Sequence, residues 1–342
     1  MIGDVLTSSI LFEVLKKQKP DCELHYLINS HTYPVVENHP FIDDFIFFTP
    51  EVEKSYLKLA SFLKQVRNNK YDVVIDVYGK LSSNLITLFS GAQLKIGYHK
   101  KHTSFIYNKG VERIKKPENN ASLAIENRLR LLEPLGVEFK NCLPNISLEA
   151  SEIAQSQQLL NSFQINKSDP LYMISLLGSN PKKTYPAKYM AQLLDTIVSE
   201  KSNVQLLFNY IPKQLKEAEE IYNLCAKETQ NHIYFKLFGK SIREFLALTS
   251  LCHALIGNEG GAVNMAKALN IPTFIIFNPA LNKQNWFGDE ENDNNVAVHI
   301  ADYIEYKDED YDLAKQNPES YYLKFKPTFI EPKLIEFLKK IK

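Results

Sequence analysis

Apolar positions in the first half of the chain gather in short runs, at residues 24–28, 45–48 and 73–77, separated by stretches such as 52–66 whose apolar residues recur at helical spacing. Short strand-like runs alternating with amphipathic helical segments predict βαβ units on a parallel sheet. A helix is expected over 121–135, where Leu123, Ile125, Leu129, Leu131 and Leu132 carry the pattern and Gly136 stands where a C-terminal cap belongs. A polar stretch at 149–169 interrupts the rhythm. It restarts with runs at 171–177, 204–208, 233–238, 253–256 and 272–277, each bordered by helical sequence. The expected fold class is therefore α/β, with two Rossmann-like, doubly wound domains. They are expected at 1–160 and 161–330, followed by a final helix at 331–342 that packs back on the first domain. At 342 residues the chain is longer than one core usually supports, in keeping with two.

Composition narrows the function classes. Apolar residues make up 44% and charged residues 23%, an ordinary globular balance. Forty basic and forty acidic side chains cancel, which leaves no overall field of the kind that draws nucleic acid, so any basic patch must be local. Cys22, Cys142, Cys225 and Cys252 are scattered without metal-ligand or redox spacing, and reduced, buried thiols are expected. No cluster of metal-ligand type stands out, and no catalytic triad follows from the spacings. No apolar run approaches the roughly 18 residues of a membrane span, and the first residues lack a secretory pattern, so a cytoplasmic location is expected.

Three constellations carry candidate chemistry. The first is Gly257-Asn258-Glu259-Gly260-Gly261-Ala262-Val263-Asn264, between a strand-like run and helix-forming sequence. The chain has twelve glycines, and three fall within these first five positions, where a bare backbone is needed. A side-chain-free turn at a helix start offers free N–H groups and the positive end of the helix dipole to a phosphate; tight strand-to-helix packing would also call for glycine. The second is Gly178-Ser179-Asn180-Pro181-Lys182-Lys183-Thr184-Tyr185-Pro186, just after the 171–177 run. There Lys183 stands either as a point charge for a phosphate at the carboxyl ends of the strands or as a solvated surface lysine. With both features in the second half, that half reads as the nucleotide-binding domain. The third is the basic run Lys95, His99, Lys100, Lys101 and His102, continued by Lys109, Arg113, Lys115 and Lys116: a solvated loop face, or a receiver of an anionic acceptor or membrane surface. At the amino end, Asp4 opens a helix that runs on through Leu11, Val14 and Leu15, and it reads either as a first-turn acid or as a general base. Trp286, the single tryptophan, reads as a packing residue.

Taken in order, four segments resemble the lipopolysaccharide heptosyltransferases, glycosyltransferase family 9. They are Ile2-Gly3-Asp4-Val5-Leu6; Tyr71-Asp72-Val73-Val74-Ile75-Asp76 with Ser90-Gly91-Ala92 and Ile96-Gly97-Tyr98; Lys183-Thr184-Tyr185-Pro186; and the stretch from Gly257 to Leu269. The resemblance implies a GT-B fold whose two domains face a cleft, with an acceptor on the first and ADP-heptose on the second. It also implies inverting transfer that needs neither a metal nor a cofactor. Asp4 then takes the base's position, while Lys183 and the N–H groups of Gly260, Gly261 and Ala262 stabilise the leaving diphosphate. Glu259 accepts hydrogen bonds from sugar hydroxyls, and Gln214, with Glu217 as the alternative, stands where the family contacts ribose. The implied partners are a sugar nucleotide and a lipid-linked anionic saccharide, with peripheral contact at the cytoplasmic face of the inner membrane and no nucleic acid. Two departures fall in the donor segment: Asn264 replaces the family's usual histidine and Glu259 its aspartate. They keep open another sugar nucleotide serving a different surface polysaccharide, or a non-catalytic binding relative. The family also has a strand before the position of Ile2, and a start of translation upstream of Met1 is expected.

Overall fold

The computed structural model describes residues 1–119, 121–139, 142–288 and 294–341, and the chain divides into two compact units, Met1–Pro144 and Asn145–Lys342. The division falls earlier than the expected 160. The polar stretch is largely the helix Ala150–Ser162, whose Glu152 pairs with Arg243 on the helix Ile242–Thr249. Arg243 also donates to the Ser147 carbonyl at 2.9 Å, and the Ile146 amide donates to Ala268 at 3.1 Å. These contacts fasten 146–162 to the second unit, although its polar surface reads as a linker.

In the first unit, parallel strands β1 (His25–Asn29) and β2 (Asp44–Phe48) form one sheet, and β3 (Val73–Asp76), β4 (Leu94–Tyr98) and β5 (Lys109–Val111) form another, in that order. His25 Nδ1 and the Tyr71 hydroxyl, 2.7 Å apart, tie the start of β1 to the approach to β3. Ile10, Leu11, Val14 and Leu15 of the helix Ile10–Gln18 pack with Ile125, Leu129 and Leu132. The helix expected over 121–135 is Leu123–Arg130 followed by a short turn of 3₁₀ helix, and Gly136 caps it at φ 65°.

The second unit has one parallel sheet of β6 (Leu171–Ser175), β7 (Gln205–Phe208), β8 (Ala254–Asn258), β9 (Thr273–Ile276) and β10 (Asn295–Val298), ordered β10-β9-β8-β6-β7. The run at 233–238 contributes only a parallel bridge from Ile233 to Leu206 on the outer side of β7. There the chain turns, Leu237 N–H donating to Tyr234 at 2.9 Å, and Phe235 packs among the rings of Phe208, Tyr210 and Tyr222. With that bridge counted, the order is the dinucleotide-binding one, and the topological switch lies between β6 and β8. The last helix begins at Pro327 and ends at Lys340. Its Ile330, Leu334, Phe337 and Leu338 are buried in the second unit's own core beside Ile197 and Phe274, which corrects the expected return onto the first domain.

Candidate functional site

At the switch point the ends of β6 and β8 are pressed together. Gly257 has φ 134°, and a Cβ there would stand 2.3 Å from the Ser175 carbonyl oxygen, so only glycine fits. The next residue, Asn258, is buried and uses its whole carboxamide. Its Nδ2 donates to the carbonyls of Ser175 (3.2 Å) and Leu176 (2.8 Å), and its Oδ1 accepts from the Tyr185 amide at 2.7 Å. Asn258 thereby staples two strand ends to the segment Lys183-Thr184-Tyr185. Three further contacts hold that segment. The Tyr185 hydroxyl donates to Phe325 at 2.7 Å from a fully buried ring, Asn278 Nδ2 donates to Lys182 at 3.1 Å, and Thr184 Oγ1 accepts from Gly178 at 3.0 Å.

Glu259 and Gly260 emerge directly from this staple. Gly260 stands at φ 152° as the cap of the helix Gly261–Ala268, with no side chain capping it and no atom within 4 Å of the place where a Cβ would be at Gly260 or Gly261. The first-turn N–H groups of Gly261, Ala262 and Val263 have no partner inside the helix and open onto this space. Glu259 is partly buried. Shielding from water pushes its carboxyl above the usual range, and the nearby Lys183 ammonium partly offsets the shift. Lys183, Glu259, Gly260, Gly261 and Ala262 therefore lie at one end of the sheet. Asn264 lies one turn further into the helix, half-buried, its amide bonded to Gly260 at 3.3 Å. Gln214 is turned inward, its Nε2 donating to the Gly178 carbonyl at 3.2 Å and its Oε1 accepting from Ile211, so it buttresses the lysine loop; Glu217 is exposed.

Asp4 belongs to the first unit, on the helix Ile2–Ser8. Arg128 Nη2 pairs with its Oδ1 at 3.0 Å, while Arg128 Nε donates to Ser8 Oγ at 2.9 Å. The Tyr26 hydroxyl donates to Val5 at 2.9 Å. The carboxylate is one-quarter exposed, held in a fixed direction yet reachable. Neither Arg128 nor Asn278 is singled out by the sequence, and Asn258 stands out there only as part of the glycine stretch. The thiols of Cys225 and Cys252 are buried, with burial pushing Cys225 up to about 12, whereas Cys22 and Cys142 are only half-buried.

A glycine-opened helix start with Lys183 close to its Glu259, at the switch point of a dinucleotide-type sheet, is an arrangement chemically suited to a phosphate. The sequence pattern of glycosyltransferase family 9 (heptosyltransferase) matches residues 59–313, and the chain belongs to this family of sugar-transferring enzymes. Lipopolysaccharide heptosyltransferase 1 of Campylobacter coli is 23% identical over 294 residues, 84% of each chain. Among solved structures, a family 9 glycosyltransferase of Veillonella parvula superposes with a TM-score of 0.80 at 19% identity, covering 98% of this chain and 95% of the other. Escherichia coli ADP-heptose lipopolysaccharide heptosyltransferase II does so with 0.71 at 15% identity, covering 99% and 96%. The fold is thus of GT-B type.

Two results are expected of this site. Asn258→Ala removes three buried hydrogen bonds and lowers stability by about 2 kcal/mol, read by denaturant unfolding; an unchanged midpoint and slope would remove its stapling role. Glu259→Gln stabilises the ligand-free protein increasingly as pH rises. Below the ordinary carboxylate range the glutamate is neutral folded or unfolded. As pH climbs through its raised folded-state pKa, the wild type loses stability by charging a shielded group, whereas glutamine does not. The difference in melting temperature between the variants, measured at about pH 4 and about pH 8, should widen upward; a constant difference would refute the shielding.

Proposed function

We propose that this chain is an inverting, metal-independent heptosyltransferase that moves heptose from ADP-heptose onto a lipid-linked saccharide such as the lipopolysaccharide inner core. The work is done at the cytoplasmic face of the inner membrane. The observation that carries the reading is the meeting of Lys183, Glu259 and the open helix start at Gly260-Gly261, in a chain whose family is heptosyltransferase. Among the described residues no helix is long and apolar enough to cross a membrane.

In the reaction an acceptor hydroxyl oxygen attacks the anomeric carbon while the bond from that carbon to the diphosphate oxygen breaks. Asp4 takes the hydroxyl proton, and Arg128 keeps its carboxylate aimed. Negative charge grows on the departing nucleoside diphosphate, which Lys183 and the N–H groups of Gly261 and Ala262 receive. Gly260, at the cap, lets the phosphate approach the helix closely. Glu259 holds sugar hydroxyls, and Asn264 donates to phosphate without adding charge.

A second reading, transfer of another sugar for a different surface polysaccharide, draws on Asn264 and Glu259 themselves, since both departures line the donor position. Calorimetric titration with ADP, UDP, GDP and CDP separates the two. Selective ADP binding supports heptose transfer, preference for another nucleotide moves the donor, and no binding of any favours a non-catalytic relative.

A further inference from the structure

Two connections at the carboxyl end of the β3–β5 sheet are locked side by side. Asp76, buried at the end of β3, accepts through Oδ1 from the amides of Tyr78 (2.9 Å) and Gly79 (2.8 Å), which fixes the loop leading into the helix Leu81–Phe89. From the connection between β4 and β5, the Tyr107 hydroxyl donates to Asp76 Oδ2 at 2.8 Å, and Lys100 Nζ donates to the Gly79 carbonyl at 2.7 Å. On this fixed base three large apolar side chains face solvent: Leu81 and Phe105, each 76% exposed, and Tyr78, 48% exposed. Side chains of this size are ordinarily turned inward, and rigid loops that hold several out together mark a contact surface.

The exposed charge beside them is basic. Val77 to Val111 holds five lysines and two histidines but no carboxylate, in a chain whose forty basic and forty acidic side chains cancel overall. Lys80, Lys101 and His102 are exposed beside the apolar residues, and Lys80 Nζ lies 4.7 Å from the centre of the Tyr78 ring. Exposed apolar side chains flanked by exposed lysines, with the neighbouring Asp76 buried and bonded, complement an interface where hydrocarbon lies just beneath a layer of phosphates.

We propose that this surface docks the protein on an anionic phospholipid bilayer. Leu81, Phe105 and Tyr78 enter the boundary between headgroups and acyl chains, and Lys80 and Lys101 lie at the lipid phosphates. The proposal deepens the reading of the acceptor as lipid-linked and rests on it. Docking would confine the enzyme to the plane in which such an acceptor lies.

The test is sedimentation of the full chain with vesicles of phosphatidylcholine alone and of phosphatidylcholine mixed with phosphatidylglycerol, neither carrying saccharide. Capture is expected on the anionic vesicles only and should fall as salt rises. Leu81→Ser with Phe105→Ser, and separately Lys80→Glu with Lys101→Glu, should each weaken partition by roughly tenfold or more. Leu313→Ser, at a half-exposed leucine flanked by Asp310 and Asp312, should leave partition unchanged. Nucleotide diphosphate binding, measured calorimetrically, should persist in all three variants and shows that they remain folded. Equal capture by neutral and anionic vesicles would overturn the proposal, as would undiminished partition of the Leu81/Phe105 variant. Release of the wild type by a soluble phosphorylated saccharide, with that variant still bound to vesicles, would also overturn it by making the patch an acceptor subsite. If the wild type partitions as expected yet binds no nucleotide, it is the glycosyltransferase reading that fails.

Discussion

Asp4→Asn is expected to leave the donor bound and to slow transfer by about 10² to 10⁴, the contribution of one positioned base. The substitution keeps shape and one acceptor oxygen while removing the capacity to take a proton. Arg128 remains bonded to Ser8 and to the Ala124 carbonyl at 2.8 Å, so the helix Ile2–Ser8 should stay in place. Single-turnover transfer, with donor affinity measured separately by calorimetry, distinguishes chemistry from binding. Wild-type turnover in this variant would remove Asp4 from the mechanism. A joint fall in affinity and melting temperature would instead make the Asp4–Arg128 pair structural. Arg128→Lys offers a companion measurement. Lysine keeps the charge but cannot hold Ser8 and Asp4 through two nitrogens of one planar group, so a fall in turnover with unchanged donor affinity marks the arginine as a positioning residue.

Lys183→Ala is expected to weaken nucleoside diphosphate binding by about 10- to 100-fold, corresponding to the roughly 1.5–3 kcal/mol of a hydrogen bond to a charged group. The fold should not notice. The turn is fixed through main-chain atoms and through Asn258, Asn278 and Tyr185, and the lysine ammonium takes no part in those contacts. A melting temperature equal to wild type, together with the affinity loss and reduced sensitivity of binding to salt, is the expected outcome. Equal affinity for ADP in the two proteins would reduce Lys183 to a surface charge.

The features legible in the sequence are those in which composition itself records the constraint. Gly257 and Gly260 stand out because few residues tolerate the positive φ the backbone takes there, and the apolar runs of β6, β7, β8 and β9 announce a sheet buried on both faces. The strands β4, β5 and β10 are less visible, because Lys95, Gly97, Lys109 and Asn295 dilute their apolar signal. The helix Ala150–Ser162 hides for a related reason: only Ser156 and Leu160 of it are buried, and an ion pair to Arg243 does much of the anchoring. The partners of the candidate residues escape for another. Asn258 acts on Tyr185 across 73 positions, and Arg128 on Asp4 across 124, distances over which no local pattern carries information.

That last separation has a consequence for biosynthesis. A chain leaves the ribosome amino end first, at about 5–20 residues per second. The helix Ile2–Ser8 thus emerges long before the arginine that orients its aspartate, and it waits while β1 to β5 are made. Asp4 gains its aim only when the Leu123–Arg130 helix folds back upon it, nearly at the close of the first unit. Asp4 is thus made 124 positions ahead of the arginine that holds it and is seated late within its unit.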